Sequence, residues 1–208
     1  MEDRKQVEAL LKAAALREED LPDAFTLLSE SFITNAQLAQ ALTAFPIGAT
    51  LDNINEQGRI LGYEAVYGAE LLTSDAILVV GVTTSLYRDP AGARQHLEFT
   101  RAHLAETDSL QLLAATAAEL APNVHQESIV ALSLPPVGED WIGYEIKLLG
   151  HDPVLNKDIN ASFCYVAMQR DRGVAAVTVG VVNDPLSPLE ELEYLAPTLD
   201  ERMKDALE

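Results

Sequence analysis

Leu61-Gly62-Tyr63-Glu64 and Ile142-Gly143-Tyr144-Glu145 each open a β-rich run that ends in Asp-Pro ahead of a helical segment, Asp89-Pro90 in the first case and Asp184-Pro185 in the second. The tyrosines lie 81 positions apart and the Asp-Pro pairs 95, so the second run is longer by 14 residues. Agreement of order, type and spacing reads as internal duplication of a strand-strand-helix unit, residues 59–106 and 140–207, within a single domain over 1–208. The alternative is coincidence, because Gly-Tyr-Glu and Asp-Pro are short and common. The additional length is assigned to 150–160, which reads as a loop.

Working outward, Leu61, Tyr63, Ala65 and Tyr67 share one side of the first run, opposite Gly62, Glu64 and Val66, the period-two pattern of a half-buried strand. The second run repeats it with Ile142, Tyr144, Ile146 and Leu148. Glu145 and Lys147 fall on the other side, so the shared Glu is expected toward solvent. Residues 76–86 and 174–182 are apolar on both sides and are expected at the centre of the sheet.

Helices are signalled by stripes and caps. Val7, Leu10, Leu11, Ala14 and Ala15 recur at helical spacing in an extra N-terminal helix within 1–19, which the pre-proline Leu21 closes. Residues 25–32 read as a strand, Asn35 caps a helix that stops at Pro46, and 48–58 read as loop. Asp89 as cap and Pro90 at the first helical position start a helix carrying Ala93, Leu97 and Leu104. A further helix is expected from Leu110, Leu113, Ala117 and Leu120, and a strand over 128–134. Ser187-Pro188-Leu189-Glu190 is a capping box, and Leu192, Leu195, Leu199, Met203 and Leu207 form the stripe behind it. The fold class that follows is α+β, a mainly antiparallel sheet with packed helices.

Thirty-three acidic against fourteen basic residues give a net charge of −19, spread along the chain. Such a field repels phosphate backbones and anionic lipid, which argues against nucleic acid or a membrane surface as partner. No apolar run approaches the ~20 residues of a membrane span. Cys164 stands alone in an apolar stretch, so no intrachain disulfide forms and a buried, inert thiol is expected.

Chemistry is sparsely marked. The nucleophile elbow, the phosphate loop, the paired-histidine zinc helix and the dinucleotide glycine fingerprint are missing. His96 and His103 share a helix but lie about 10 Å apart along its axis, too far for one metal, and read as surface or boundary residues. Asp52-Asn53-Ile54-Asn55-Glu56 offers oxygen ligands for a calcium ion from one loop, although Asn and Asp also populate turns for backbone reasons alone. No catalytic residue, metal or cofactor is assigned. Binding is expected at the loops that enter and leave the Trp141 strand, with Glu139, Asp140, Trp141 and His151 as the candidate residues, toward a small ligand or a protein. Trp141 is a binding anchor if its side of the sheet is bare and core if a helix covers it.

Leu21-Pro22-Asp23-Ala24-Phe25 and Val137-Gly138-Glu139-Asp140 resemble the opening and the pre-strand turn of bacterial cell-envelope lipoproteins and sensor domains with a PsbP/Mog1-like α/β/α sandwich, over roughly residues 20–205. Ala24 and Glu139 depart from the pattern's Gly and Asp. The resemblance implies a non-catalytic binding or sensing module, extracytoplasmic if a signal peptide has been removed and cytoplasmic otherwise, and it supplies no catalytic residues. Two other classes compete with it: an acidic cytosolic chaperone or adaptor, and a small enzyme built by duplication with Glu64 and Glu145 as symmetry-related acids or ligands.

Overall fold

The computed structural model describes residues 3–42, 50–70, 77–105, 124–152, 157–182 and 187–207. Helix α1 (Arg4–Ala14) leads through a 3₁₀ turn (Glu18–Asp20) into β1 (Thr26–Ile33), α2 (Asn35–Leu42), α3 (Leu51–Glu56), β2 (Arg59–Glu70), β3 (Ile77–Tyr87) and α4 (Pro90–Ala105). Then follow β4 (Val124–Ala131), β5 (Asp140–Asp152), β6 (Lys157–Arg170), β7 (Gly173–Val182) and α5 (Leu189–Leu207). The seven strands form one antiparallel sheet in the order β1-β2-β3-β7-β6-β5-β4. Two meanders therefore meet along β3 and β7, the strands that are apolar on both faces, because only covered strands remove such sequences from water.

Residues directly opposed on neighbouring strands share a face, so the register sorts the side chains. Phe32, Tyr63, Thr84, Ala175, Met168 and Trp141 form one row across six strands. That face carries α1 and α5: the Thr84 hydroxyl donates to the Leu11 carbonyl (3.0 Å), and Leu11, Leu192, Leu195, Leu199 and Met203 pack on Tyr63, Val80, Val166 and Val177 in the main core. A second row, Ala131, Tyr144, Tyr165, Thr178, Gly81, Val66 and Ser29, lies on the opposite face. There α4 seats Leu97 on Ile142, Ala167 and Ala176, and Ala93 on Tyr87 and Val174. Ion pairs tie α5 into place. Arg202 donates to Asp20 and Glu19 in the 3₁₀ turn (2.8 Å each), and Arg170 grips Asp200 through Nε and Nη2 (2.8 and 2.9 Å).

The α+β class and the antiparallel sheet are as the sequence indicates, and β3 and β7 are central. The strand content expected of the second unit is corrected. Within 59–106 two strands precede α4, but within 140–207 three precede α5, and the extra length is not a loop over 150–160: β5 continues to Asp152 and β6 begins at Lys157. β2 and β5 do run in the same direction, yet Tyr63 and Tyr144 face opposite sides of the sheet, and so do α4 and α5. A half-turn about an axis parallel to the strands keeps strand direction and exchanges the faces, which is how β2 and α4 stand to β5 and α5. The stretch 48–58 is also corrected in part: Leu51–Glu56 is a helix, capped by Thr50, whose hydroxyl accepts from the Asn53 amide (3.2 Å). The expected helix over 110–120 and the Asp184-Pro185 pair lie outside the described residues. β4 begins earlier and ends earlier than 128–134.

Candidate functional site

Between α1 and the β1–β2 edge of the sheet lies a cavity of about 200 Å³. Its walls follow from three local choices. On α1 the stripe Val7, Leu11 and Ala14 turns into the core, which leaves Lys12 at the edge of the buried face beside Leu16. On β2, Tyr63 and Tyr67 occupy the inward-facing parity and rise as the back wall. On β1, register with β2 places Leu27 opposite Tyr67 and Glu30 opposite Ala65, so Leu27 and Glu30 close the remaining side. An irregularity between Leu27 and Ser29 re-aims the strand at this point. Arg17 and Glu18, both exposed, complete the lining.

The polar groups are already ordered. Lys12 Nζ donates to Glu30 Oε1 (2.8 Å) and sits 5.5 Å and 5.9 Å from the ring centroids of Tyr63 and Phe32, within cation–π range. The Tyr63 hydroxyl donates to Glu30 Oε2 (2.6 Å), and the Tyr67 hydroxyl to the Leu16 carbonyl (2.9 Å). The Lys12 and Tyr63 donors hold the Glu30 carboxyl below its ordinary value, whereas burial, then the Glu30 hydrogen bond, pushes the Tyr63 phenol up. Glu30 is thus an anion and Tyr63 a neutral donor at neutral pH. Neither is free to act as a base.

The residues singled out from sequence are not brought together. Asp140 opens β5 and accepts from Arg101 Nη2 on α4 through both oxygens (2.8 Å each) and from the Trp141 amide (2.8 Å). Glu139 takes the Asp171 amide (3.0 Å) and the Gln169 side chain (3.3 Å), which supports the β6–β7 turn where Asp171 has φ 45°. Both carboxylates therefore serve the fold. Trp141 is half-buried and packs against the main core. His151 stands at the far end of β5, ten residues or about 34 Å from Trp141, exposed and paired with Asp158 (2.9 Å). The segments that enter and leave this strand are separated by its 13 residues.

Glu64 and Glu145 do not form a joint site either. They lie on opposite faces with three strands between them; Ser31 donates to Glu64 (3.2 Å), and Glu145 lies beside Lys147 (3.6 Å) and Ser162 (3.4 Å). The Asp52–Glu56 oxygens are fanned around α3, with Asn55 Oδ1 already accepting from Asn35 (2.9 Å) and Ile54 buried, which separates groups that a calcium loop would gather. Among the described residues no three His, Cys, Asp or Glu side chains converge as metal ligands. Cys164 is buried against the main core 3.7 Å from Ser187 Oγ, and burial pushes its thiol up to about 11. His96 is more enclosed than a surface residue. Burial first, and then the charge of Arg59, bring it down to about 4.

Sequence reasoning passed over Lys12, Arg17, Glu18, Leu27 and Glu30. One signal was available: in the strand Thr26–Ile33, Glu30 shares the parity of Phe32, which places a carboxylate on the inward side.

No protein-family model and no curated protein matches the chain. Among solved structures it is similar to LpqN, involved in cell envelope biogenesis of Mycobacterium tuberculosis, at 13% identity over 87% of this chain and 78% of that chain, with a TM-score of 0.37. It is also similar to the extracellular domain of PknH from Mycobacterium tuberculosis, at 7% identity over 100% of this chain and 92% of that chain, with a TM-score of 0.44. No helix among the described residues is long and apolar enough to cross a membrane.

Proposed function

We propose that the chain is a non-catalytic binding module of a bacterial cell envelope that holds a small amphipathic molecule in the cavity between α1 and β1–β2. The observation that carries this reading is the cavity wall. Lys12, Glu30 and Tyr63 satisfy one another at 2.8 and 2.6 Å, so the wall presents a fixed polar patch beside the apolar Leu16, Leu27 and Tyr67. Such a surface orients a ligand with one polar and one apolar end, and its carboxylate is held by an ammonium and a phenol rather than poised to take a proton. The volume is below the roughly 300–1,000 Å³ of sites for drug-sized molecules, which limits the occupant to something smaller.

The envelope setting rests on the two segments that resemble envelope lipoproteins and sensor domains. Their residues have structural work here: Leu21 and Phe25 are buried, the Phe25 amide donates to the Pro22 carbonyl (3.0 Å), and Gly138 adopts φ 65°, where a side chain is disfavoured. The first segment joins the 3₁₀ turn to β1.

The test of the binding reading is a fragment screen by amide chemical shifts, with Leu27→Trp as the cavity-filling variant. Small amphipathic fragments are expected to move the amides of Leu16, Leu27, Glu30 and Tyr67 together, and not to do so in the variant. If no fragment perturbs those amides, or the variant responds unchanged, the reading fails. Cell fractionation of the native gene product tests the envelope setting separately, and recovery in the cytosol refutes it.

A further inference from the structure

Arg59, at the start of β2, lies on the sheet face opposite the cavity and is only 5% exposed. Its Nε donates to Ser85 Oγ (3.2 Å), and its Nη1 donates to the Ile33 carbonyl (3.1 Å) and to Asn35 Oδ1 (2.9 Å). All three acceptors are neutral. Among the described residues no carboxylate pairs with this guanidinium and no acceptor lies within hydrogen-bond distance of Nη2, which, unlike the Tyr87 hydroxyl, is not fully enclosed. An arginine is seldom taken this far from water without an opposing charge, because burying an uncompensated ion is expensive.

The surroundings make room for that charge. The guanidinium lies over Gly62, where a side-chain atom would overlap Nη2, so the glycine is what admits it. Tyr87, at the end of β3, is fully buried, and its hydroxyl is the buried side-chain polar atom without a hydrogen-bond partner among the described residues. Arg59 and Tyr87 are opposed in the β2–β3 register, and the Arg59 charge lowers the Tyr87 phenol against the upward push of burial. The ring of His96 on α4 lies 5.7 Å from that of Tyr87 and adds no negative charge. A buried cation without a counter-ion and a buried hydroxyl without an acceptor share one missing component: an oxygen anion.

We propose that Arg59 and Tyr87 form a binding site for an oxyanion group, a carboxylate or a phosphate, whose oxygens accept from Arg59 Nη2 and from the Tyr87 hydroxyl. Gly62 admits the guanidinium that would hold the anion. The proposal is independent of the cavity between α1 and β1–β2.

The experiment is a thermal-shift and calorimetric titration of the purified chain with sodium phosphate and, separately, sodium acetate at pH 7. Ionic strength is held near 0.15 M with sodium chloride, which screens the net charge of −19 beyond about 8 Å. One or both oxyanions should raise the melting temperature relative to chloride at equal ionic strength, with a single site by calorimetry. Phosphate alone active would assign a phosphate site, and acetate alone a carboxylate site. Arg59→Met and Gly62→Ala should abolish the shift. Tyr87→Phe, which removes an unsatisfied hydroxyl and so folds at least as well, should weaken binding about tenfold or more. Should Arg59→Met fail to fold, Tyr87→Phe still decides the matter. No shift with either anion, or an unchanged shift in Tyr87→Phe, overturns the proposal.

Discussion

Tyr63 and Tyr144 stand in the same local sequence, Gly-Tyr-Glu on a strand of the same direction, yet they look out of opposite faces of the sheet. Tyr63 faces α1, donates to Glu30 and backs a cavity; Tyr144 packs beside Leu97 under α4. The row that contains Tyr63 ends, six strands across, at Trp141, three residues before Tyr144. An odd offset is all that is needed, because side chains alternate with period two and a one-residue difference in register exchanges the faces. Identical motifs fix local conformation and burial but not which layer they meet.

The largest test compares the layers. Leu192→Ala on the α5 face empties a fully buried site in the main core and is expected to cost about 3–5 kcal/mol by urea denaturation. Leu97→Ala, also fully buried but in the smaller cluster under α4, should cost about 2–3 kcal/mol, since fewer neighbours close around it. Equal losses would remove the energetic distinction between the faces.

The α4 face should also be the more acid-sensitive. His96 there titrates at about 4 in the fold against an ordinary value of 6.5, so the unfolded chain binds the proton first. Stability is therefore complete above pH 6.5 and falls as pH drops from there toward 4, by an amount on the order of 2–3 kcal/mol. Urea midpoints of the wild type and His96→Phe between pH 7 and pH 4.5 check this. The variant should show a shallower fall; parallel curves would mean that His96 is not held neutral.

Trp141→Ala probes the row that Tyr63 begins. Because the indole is half-buried against the main core, the expected loss is about 2 kcal/mol, below that of a fully enclosed aromatic. A loss near zero by calorimetry would return Trp141 to the role of a surface anchor.

The smallest effects separate the two tyrosines themselves. Tyr63→Phe deprives Glu30 of a donor and should cost about 1 kcal/mol, with the Lys12–Glu30 pair left to hold the carboxylate. Tyr144→Phe should change stability by less than about 0.5 kcal/mol. If the two substitutions cost the same, the motif rather than the face decides its energetics.

Much of the fold was legible because it depends on neighbours in sequence. Alternation in 61–67 and 142–148 gives strands, the apolar runs 76–86 and 174–182 give the centre, and the stripe and caps of residues 187–207 give a helix. The site was not legible, for the opposite reason. Glu139 and Asp140 look available in a loop, but apart from the Trp141 amide the groups that occupy them are Asp171, Gln169 and Arg101, all at least 30 residues away. Lys12, Glu30 and Tyr63 become a cavity wall only because α1 crosses the β1–β2 edge.

The sequence by itself therefore determined most of the elements and the apolar stripe of each, since periods of 2 and 3.6 residues are properties of the backbone. Only the tertiary structure decided which face each element met, which carboxylates were already taken, and that Arg59 would be buried without a counter-charge. Those outcomes are set by strand order and by contacts between residues far apart in the chain, and no local rule encodes them.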